Sequence, residues 1–338
     1  MIEIQENVSL AKYSTFHIGG LVRFFIIIKS LADLKEAIKF QQTKKIDYLI
    51  LGVGSNILFS DEGFSGLVIK NEIKSCKINQ NQVTFGAGVI WTEAVKFCVE
   101  NNLAGLENLA GIPGTVGATP IQNVGAYGLE IKDVLASVLA LNVETGEIKT
   151  FSLLDCQFSY RSSYFKKSEA KKYVIVEVTF NLKLAKTDYQ PNLSYKDLAN
   201  YFANSKEPIT LKAVYEAVIK IRAEKFPNTV DFGLAGSFFK NPIITRKKYL
   251  ELLEKYPNLP KYDAGLDRVK IPLGWILDKV LNMKGYRVGR VGLYEKQAIV
   301  LVNYGEATAK EVRDFADYVK NKVFNKCGLR VEEEVEMC

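Results

Sequence analysis

Histidine is nearly absent from this chain, and cysteine is sparse and scattered. The 338 residues include one histidine, His17, and five cysteines, none of them in a CxxC pair. A Ser-His-Asp hydrolase could be built only around His17, and the cysteine spacing argues against a structural zinc site or a disulfide framework. We therefore expect no metal site, and we expect proton transfer to use residues other than histidine.

Long apolar runs are missing as well. The run at 24–28 has five apolar residues, whereas a membrane helix needs about 20. The first ten residues contain no basic residue, so a signal peptide is not expected. The net charge of +7 suits small anionic ligands and is modest for a nucleic-acid binder. We expect a cytoplasmic protein that binds neither membranes nor nucleic acids.

The patterning predicts a mixture of helices and strands. At about 150 residues per domain, the length indicates two to three domains. The first 70 residues alternate strand-like and helix-like segments, which predicts a βαβ unit whose helix starts at a Ser30/Asp33 capping box. A hairpin is predicted around Glu144–Glu147, and a strand at 173–182. Helices are predicted at 89–101, 211–222, 246–255, 273–282 and 308–326, the last with a Thr308/Glu311 capping box and Gly328 at its end. In the first of them, Trp91 and Cys98 fall on the apolar face and are expected in the core.

Two glycine-rich segments are candidates for ligand binding. They are LGVGSNILF at 51–59 and GIPGTVGATPIQNVGAYG at 111–128. Glycine allows successive backbone N–H groups to approach an anion closely. The first segment has Ile57 where a Rossmann fingerprint has its third glycine, and neither segment has the Gly-Lys-Ser/Thr of a P-loop. From glycine content alone, tight structural turns and phosphate binding remain equal alternatives.

These segments resemble a known enzyme family when they are read with the motifs around them. Those motifs are STFHIGG (14–20), FSYRSSYF (158–165), GSFFKNP (236–242), GWILD (274–278), KQAIVLVN (296–303) and VEEEV (331–335). In this order they resemble type I UDP-N-acetylenolpyruvoylglucosamine reductases (UDP-N-acetylmuramate dehydrogenases). The resemblance implies an α+β flavoprotein of three parts, with an FAD-binding domain of the vanillyl alcohol oxidase (PCMH) type and a smaller α+β substrate domain.

The resemblance also implies domain limits and a reaction. The implied parts are residues 1–71 with 327–338 and residues 72–226, which together bind FAD, and residues 227–326, which bind substrate. The implied reaction passes hydride from NADPH to tightly but non-covalently bound FAD, and from flavin N5 to C3 of the enolpyruvyl ether, giving UDP-N-acetylmuramate for peptidoglycan precursor synthesis. A monomer is expected. The implied FAD contacts are Gly52, Gly54, Ser55, Asn56, Gly114, Thr115, Gly117, Ala118, Gln122, Gly125 and Arg161.

Three residues match the catalytic positions of the family. Hydride addition to an alkene conjugated to a carboxylate creates an enolate, so the site needs a cation and a proton donor. The resemblance assigns Arg161 to the substrate carboxylate, Ser237 to protonation of C2, and Glu334 to stabilisation of the enolic intermediate. The acidic run leaves Glu332 and Glu333 as alternatives to Glu334, because a slip of one residue would reverse the strand faces.

Four further residues match substrate contacts of the family. Tyr195, in LSYKDL at 193–198, matches a tyrosine that folds over the substrate diphosphate as a mobile lid. Lys225, Asn241 and Gln297 match contacts to the diphosphate and the uracil.

Two other functions remain as alternatives. One is a different oxidoreductase with this flavin-binding fold, such as an alcohol or sugar-acid oxidase, which would be marked by a histidine or cysteine anchoring the flavin. The other is a non-catalytic nucleotide- or RNA-binding protein, which would require clustered basic and aromatic residues.

Overall fold

The structure, a computed structural model, describes residues 2–185 and 189–338. The helices are α1 (Leu31–Lys44), α2 (Trp91–Glu100), α3 (Lys196–Phe202), α4 (Leu211–Lys225), α5 (Arg246–Lys255), α6 (Leu273–Trp275) and α7 (Ala309–Cys327). The strands are β1 (Ile4–Ser9), β2 (Leu21–Ile28), β3 (Tyr48–Leu51), β4 (Ile57–Leu58), β5 (Phe64–Asn71), β6 (Cys76–Asn79), β7 (Gln82–Gly86), β8 (Leu103–Ala104), β9 (Gly125–Ala126), β10 (Leu129–Glu130), β11 (Leu135–Asn142), β12 (Ile148–Ser152), β13 (Tyr173–Asn181), β14 (Lys183–Leu184), β15 (Gly233–Ser237), β16 (Ile243–Thr245), β17 (Tyr262–Asp263), β18 (Arg268–Lys270), β19 (Arg287–Val288), β20 (Val291–Leu293), β21 (Val300–Asn303) and β22 (Glu336–Met337).

Helix caps predicted from the sequence are present in full at α7 and in part at α1. Thr308 and Glu311 form the predicted capping box of α7. At α1 the Ser30 hydroxyl accepts a hydrogen bond from the Asp33 N–H, but the Asp33 carboxylate accepts from the N–H of Lys29, so the predicted Ser30/Asp33 box is only half formed. Gly328 ends α7 in the left-handed conformation, with φ of +65°. These caps depend on residues within one turn of each other, which explains why the sequence predicts them well.

The prediction of a regular helix at 273–282 was wrong. The chain makes one α-helical turn, α6, and then a π-helical turn at Ile276–Val280. The N–H of Leu281 bonds to the carbonyl of Ile276, five residues earlier. Ile276, Leu277 and Met283 are all buried, so packing of these side chains stabilises the wider turn.

The first of two compact units contains residues 2–8, 22–53 and 65–223 in the described chain. A four-stranded sheet has the order β1-β2-β5-β3, with β3 parallel to β5, and a five-stranded antiparallel sheet has the order β12-β11-β13-β7-β6. The predicted βαβ segments are present, although β5 lies between β2 and β3. Trp91 and Cys98 of α2 are completely buried, as their helical spacing predicts.

The second unit contains residues 9–21, 54–64 and 224–338. Its main sheet is antiparallel, in the order β15-β21-β20-β19, and a three-stranded sheet has the order β16-β18-β17. The C-terminal strand β22 pairs in parallel with β4. One apolar core extends through this unit, from Phe16 and Leu58 to Phe315 on α7 and Val335 near the C-terminus.

The bounds of the two compact units can be compared with the three predicted parts of the chain, which remain a prediction. The chain passes from the first unit to the second between Ala223 and Glu224, three residues before the predicted boundary at 226. Residues 327–338 pack in the same unit as 224–326, whereas the resemblance groups them with 1–71. Within the described residues, none of the helices combines the length and apolarity that a membrane span needs.

Candidate functional site

The two glycine-rich segments contact each other within the first unit. A Cβ built on Gly52 would lie 2.6 Å from Oγ1 of Thr115, so only glycine fits beside the second loop. Among the described residues, the N–H groups of Gly52, Gly114 and Thr115 make no hydrogen bond to a protein acceptor. The two loops therefore meet at Gly52 and Thr115, and their backbone N–H groups are candidates for binding a diphosphate such as that of FAD.

The rest of the second loop is held by internal hydrogen bonds. The Val116 N–H donates to the carbonyl of Val89, and the Gly117 N–H donates to that of Ala87, each at 2.9 Å. A Cβ on Gly117 would lie 2.6 Å from Cβ of Ala87. The N–H of Ala118 donates to Thr115. Close packing against the segment after β7 therefore accounts for Gly117, and the N–H groups of Val116, Gly117 and Ala118 are used within the protein.

Arg161 lies at the tip of a tight turn. Ser159 and Ser162 exchange two main-chain hydrogen bonds, at 3.0 and 3.2 Å, which closes the turn around Tyr160 and Arg161. Arg161 has φ of +53°, an uncommon conformation for a residue other than glycine. Its Nη2 donates to the carbonyl of Gly125 at 2.8 Å, and its guanidinium carbon lies 5.3 Å from the centre of the Tyr160 ring. The guanidinium is thus fixed against the second glycine-rich loop.

Asn123 is a residue that the sequence reasoning missed. Its side chain is completely buried, and its amide donates to Oε2 of Glu130 at 2.9 Å and to the carbonyl of Ser159 at 3.2 Å. Its Oδ1 accepts from the Lys132 N–H at 3.1 Å. An asparagine in a glycine-rich, irregular loop is the only sequence signal, because asparagine adopts positive φ more readily than most residues.

Tyr195 packs against the same loop region. Its ring meets that of Tyr127 edge to face, with 5.1 Å between the centroids. The Tyr127 side chain is hydrogen-bonded to Arg222, and burial raises the pKa of Tyr127 while it lowers the pKa of Arg222. Arg222 also donates from Nε to the carbonyl of Gly111 at 3.0 Å. The predicted lid residue is therefore held by a buried aromatic ring, and its mobility stays a prediction.

Ser237 and Glu334 lie close together in the second unit. Ser237 ends β15 and pairs with Val300 of β21, directly after Gly236, which has φ of +68°. The Glu334 N–H donates to the carbonyl of Phe238 at 2.8 Å. These two predicted catalytic residues are 97 positions apart in sequence, and the isolated antiparallel bridge between Phe239 and Glu333 brings their backbones together.

The three consecutive glutamates differ in their surroundings. Glu332 forms an ion pair with Lys240, N–O 3.0 Å, and Glu333 forms an ion pair with Lys320 of α7, which also pairs with Asp317. Glu333 faces Phe239 in an antiparallel bridge. Glu334 is held through its backbone on both sides, because Nδ2 of Asn56 donates to its carbonyl at 3.1 Å. The lysines thus engage the first two carboxylates, and the backbone fixes the third residue.

Two predicted substrate-binding amides are oriented by one short segment. The N–H of Leu273, the first residue of α6, donates to Oδ1 of Asn241 at 2.8 Å. A Cβ on Gly274 would lie 3.3 Å from Oε1 of Gln297. The side-chain oxygen of Asn241 therefore accepts from the start of α6, and Gly274 allows Gln297 to lie close to the backbone.

The remaining predicted site residues fall in both units. Gln122 belongs to the second glycine-rich loop, and Lys225 is the last residue of α4. Gly54 begins the second unit's segment 54–64 with φ of +66°, and a Cβ there would lie 2.0 Å from the carbonyl oxygen of Tyr13. Ser55 follows it, and the main-chain carbonyl of Asn56 accepts a hydrogen bond from Glu336. Gly54 and Asn56 therefore have structural contacts within their own unit.

Two protein-family matches cover most of the chain. Residues 22–152 match the FAD binding domain family, and residues 228–338 match the C-terminal domain of UDP-N-acetylenolpyruvoylglucosamine reductase. The FAD-binding domain and the α+β fold class predicted from the sequence are confirmed.

Similar proteins match over nearly the full length. UDP-N-acetylenolpyruvoylglucosamine reductases from Flavobacterium johnsoniae and Photobacterium profundum are each 40% identical, over 99% of this chain and over 100% and 95% of their own lengths. The crystal structure of the reductase from Thermus caldophilus has the same fold, with a TM-score of 0.70 and 23% identity over 100% of this chain and 98% of that one. The chain belongs to the UDP-N-acetylenolpyruvoylglucosamine reductase family of FAD-binding oxidoreductases.

Proposed function

We propose that this protein reduces UDP-N-acetylenolpyruvoylglucosamine to UDP-N-acetylmuramate in peptidoglycan precursor synthesis, with NADPH as the hydride donor. Bound FAD would supply the hydride-transfer chemistry between the two substrates. Family membership supports the reaction class. The observation that carries the residue assignment is the isolated antiparallel bridge that sets the backbone of Glu334 beside Phe238, the residue after Ser237.

Each catalytic residue has a role that follows from its chemistry. Arg161 always carries a positive charge and would neutralise the substrate carboxylate, which lowers the free energy of the enolate. Ser237 would donate its hydroxyl proton to C2, because an enolate carbon is a strong base and a fixed O–H group beside it needs little reorganisation. Glu334, with its backbone held by Phe238 and Asn56, would hydrogen-bond to the enolic intermediate.

Four side chains would bind the sugar nucleotide. The amides of Asn241 and Gln297 suit the diphosphate and the uracil, because each offers both donor and acceptor atoms, and both side chains lie beside the α6 segment. Lys225 would add a positive charge for the diphosphate. Tyr195 would move off Tyr127 to cover the bound substrate, which makes it a lid.

The FAD would be bound without a covalent link. Oxidases with anchored flavin need a reactive histidine or cysteine. In the first unit Cys98 and Cys156 are completely buried, and burial raises the pKa of each thiol to about 12. Such thiols stay protonated near neutral pH and are poor nucleophiles. The exposed Cys76 lies on β6, and neither glycine-rich loop contains a histidine or a cysteine. The absence of an anchor in these loops favours the reductase over the alternative of an alcohol or sugar-acid oxidase.

The proposal is tested by following the flavin absorbance through both half-reactions. NADPH should bleach the FAD-loaded protein, and the enolpyruvyl sugar nucleotide should restore the colour. Ser237→Ala should keep the rate of bleaching and slow the return of colour by about a hundredfold or more, since it removes a donor used only in the transition state.

A matched control is Ser205→Ala, which removes an exposed hydroxyl in the first unit. It should leave both half-reactions unchanged. Near-normal return of colour in Ser237→Ala would remove Ser237 from the mechanism, and a protein that takes up no FAD would end the proposal as a whole.

A further inference from the structure

Asn123 links three segments of the first unit at a buried point. Its side chain is completely buried and bonds to Glu130, to the N–H of Lys132 and to the carbonyl of Ser159. Its backbone has φ of +46°. Breaking the hydrogen bonds of a buried amide costs free energy, because its N–H groups and oxygen lose partners that water cannot replace. Asn123 therefore fixes the relative positions of the segments that it joins.

One of those segments carries Arg161. Ser159, whose carbonyl accepts from Asn123, is the first residue of the turn that holds Arg161. After the turn, the Ser163 hydroxyl donates to the carbonyl of Ile121 at 2.6 Å. The guanidinium itself donates to Gly125, two residues after Asn123. The turn and the charged group are thus both held by the segment at 121–125.

We propose that Asn123 is a positioning residue that sets the guanidinium of Arg161 for the substrate. This inference rests on the proposed role of Arg161. Asn123 acts through the backbone of the turn, which carries Arg161 in its uncommon positive-φ conformation.

The hydrogen bonds and the backbone conformation at position 123 favour asparagine over aspartate and glycine. The side chain donates two hydrogen bonds and accepts one, and it does so from a left-handed backbone. Aspartate has no N–H donor and would place a second carboxylate beside Glu130. Glycine tolerates the backbone conformation and makes none of the three bonds.

The test is Asn123→Gly, which is compatible with the positive-φ backbone and removes the three side-chain bonds. We expect the NADPH half-reaction to keep its rate and the return of flavin colour with the sugar nucleotide to slow by about ten- to a hundredfold, the cost of misplacing a group by about 1 Å. Asn123→Asp, which is almost the same size, is measured in the same way and provides a second test if the glycine variant folds poorly.

Asn71→Ala is the matched control. Asn71 is also a buried amide in the first unit, and it bonds to the carbonyl of Ile175 and the N–H of Ile73. This variant should lower the thermal stability of the protein and leave both half-reactions at the wild-type rate. Equal slowing of the sugar-nucleotide step in Asn71→Ala would show a general structural effect and would overturn the inference.

A double-mutant cycle with Arg161→Ala separates this inference from the function itself. If Asn123 acts through Arg161, Asn123→Gly should have no further effect in the Arg161→Ala background. A full effect in that background, or none in the wild type, would overturn the positioning role while leaving the reductase proposal in place. Wild-type rates in Arg161→Ala would refute the role of Arg161 itself.

Discussion

The three consecutive glutamates offer the sharpest test of the site, because they are chemically identical and differ only in what surrounds them. Glu332→Gln, Glu333→Gln and Glu334→Gln each remove one charge and keep nearly the same shape. The structure ties Glu332 to Lys240 and Glu333 to Lys320. We therefore expect the first two variants to affect stability and the third to affect the rate.

The magnitudes follow from exposure and geometry. The Glu332 side chain is 77% exposed, so breaking its ion pair should cost about 0.5 kcal/mol of unfolding free energy. Glu333 and Lys320 are only 27% and 28% exposed, and breaking a more buried pair should cost about 1–2 kcal/mol. Glu334→Gln should slow the sugar-nucleotide half-reaction by about a hundredfold, which is about 2.7 kcal/mol of activation free energy.

Two assays keep the effects apart. Urea unfolding of each FAD-loaded variant gives its stability, and stopped-flow absorbance gives the rates of flavin reduction by NADPH and of reoxidation by the sugar nucleotide. If Glu333→Gln slowed reoxidation more than Glu334→Gln did, the assignment of the catalytic role to Glu334 would be refuted.

Three further predictions concern thiols, pH and a buried amide. A thiol reagent at pH 8 should modify the exposed Cys76 well before Cys98 and Cys156, whose pKa values burial raises to about 12; equal rates for all three in the native protein would contradict the burial. The hydrogen bond from the Lys29 N–H lowers the pKa of Asp33 in the folded protein, so the ionised carboxylate stabilises the fold above about pH 4, and this stabilisation is lost as the pH falls through the lowered pKa. Asp33→Asn should remove this loss from the acid side of the curve of unfolding free energy against pH. An unchanged curve would refute the role of Asp33. Asn303→Ala should cost about 3 kcal/mol of unfolding free energy, because it leaves the carbonyl of Phe16 and the N–H groups of Gly305 and Ala307 without their buried partner; a loss below about 1 kcal/mol in urea unfolding would contradict that accounting.

Much of the local structure was predictable because its causes are local. Ser30 and Asp33 are three residues apart, as are Thr308 and Glu311, so a capped helix start can be read directly from the chain. The apolar spacing of α2 likewise predicted that Trp91 is buried. The π-helical turn at Ile276–Val280 was not predictable, because it depends on packing of side chains around the turn rather than on the local pattern.

The sequence by itself determined the family, the fold class and the types of residue available for chemistry. A chain with one histidine has to move protons with other groups, and the glycine-rich loops limit how an anion can be bound. Tertiary structure decided which of these residues meet. Gly52 and Thr115 come into contact across 63 positions, and an isolated antiparallel bridge sets Glu334 beside Phe238 while lysines hold the two preceding glutamates. Such contacts between distant residues depend on the register of strands and the packing of loops, which composition and periodicity do not specify.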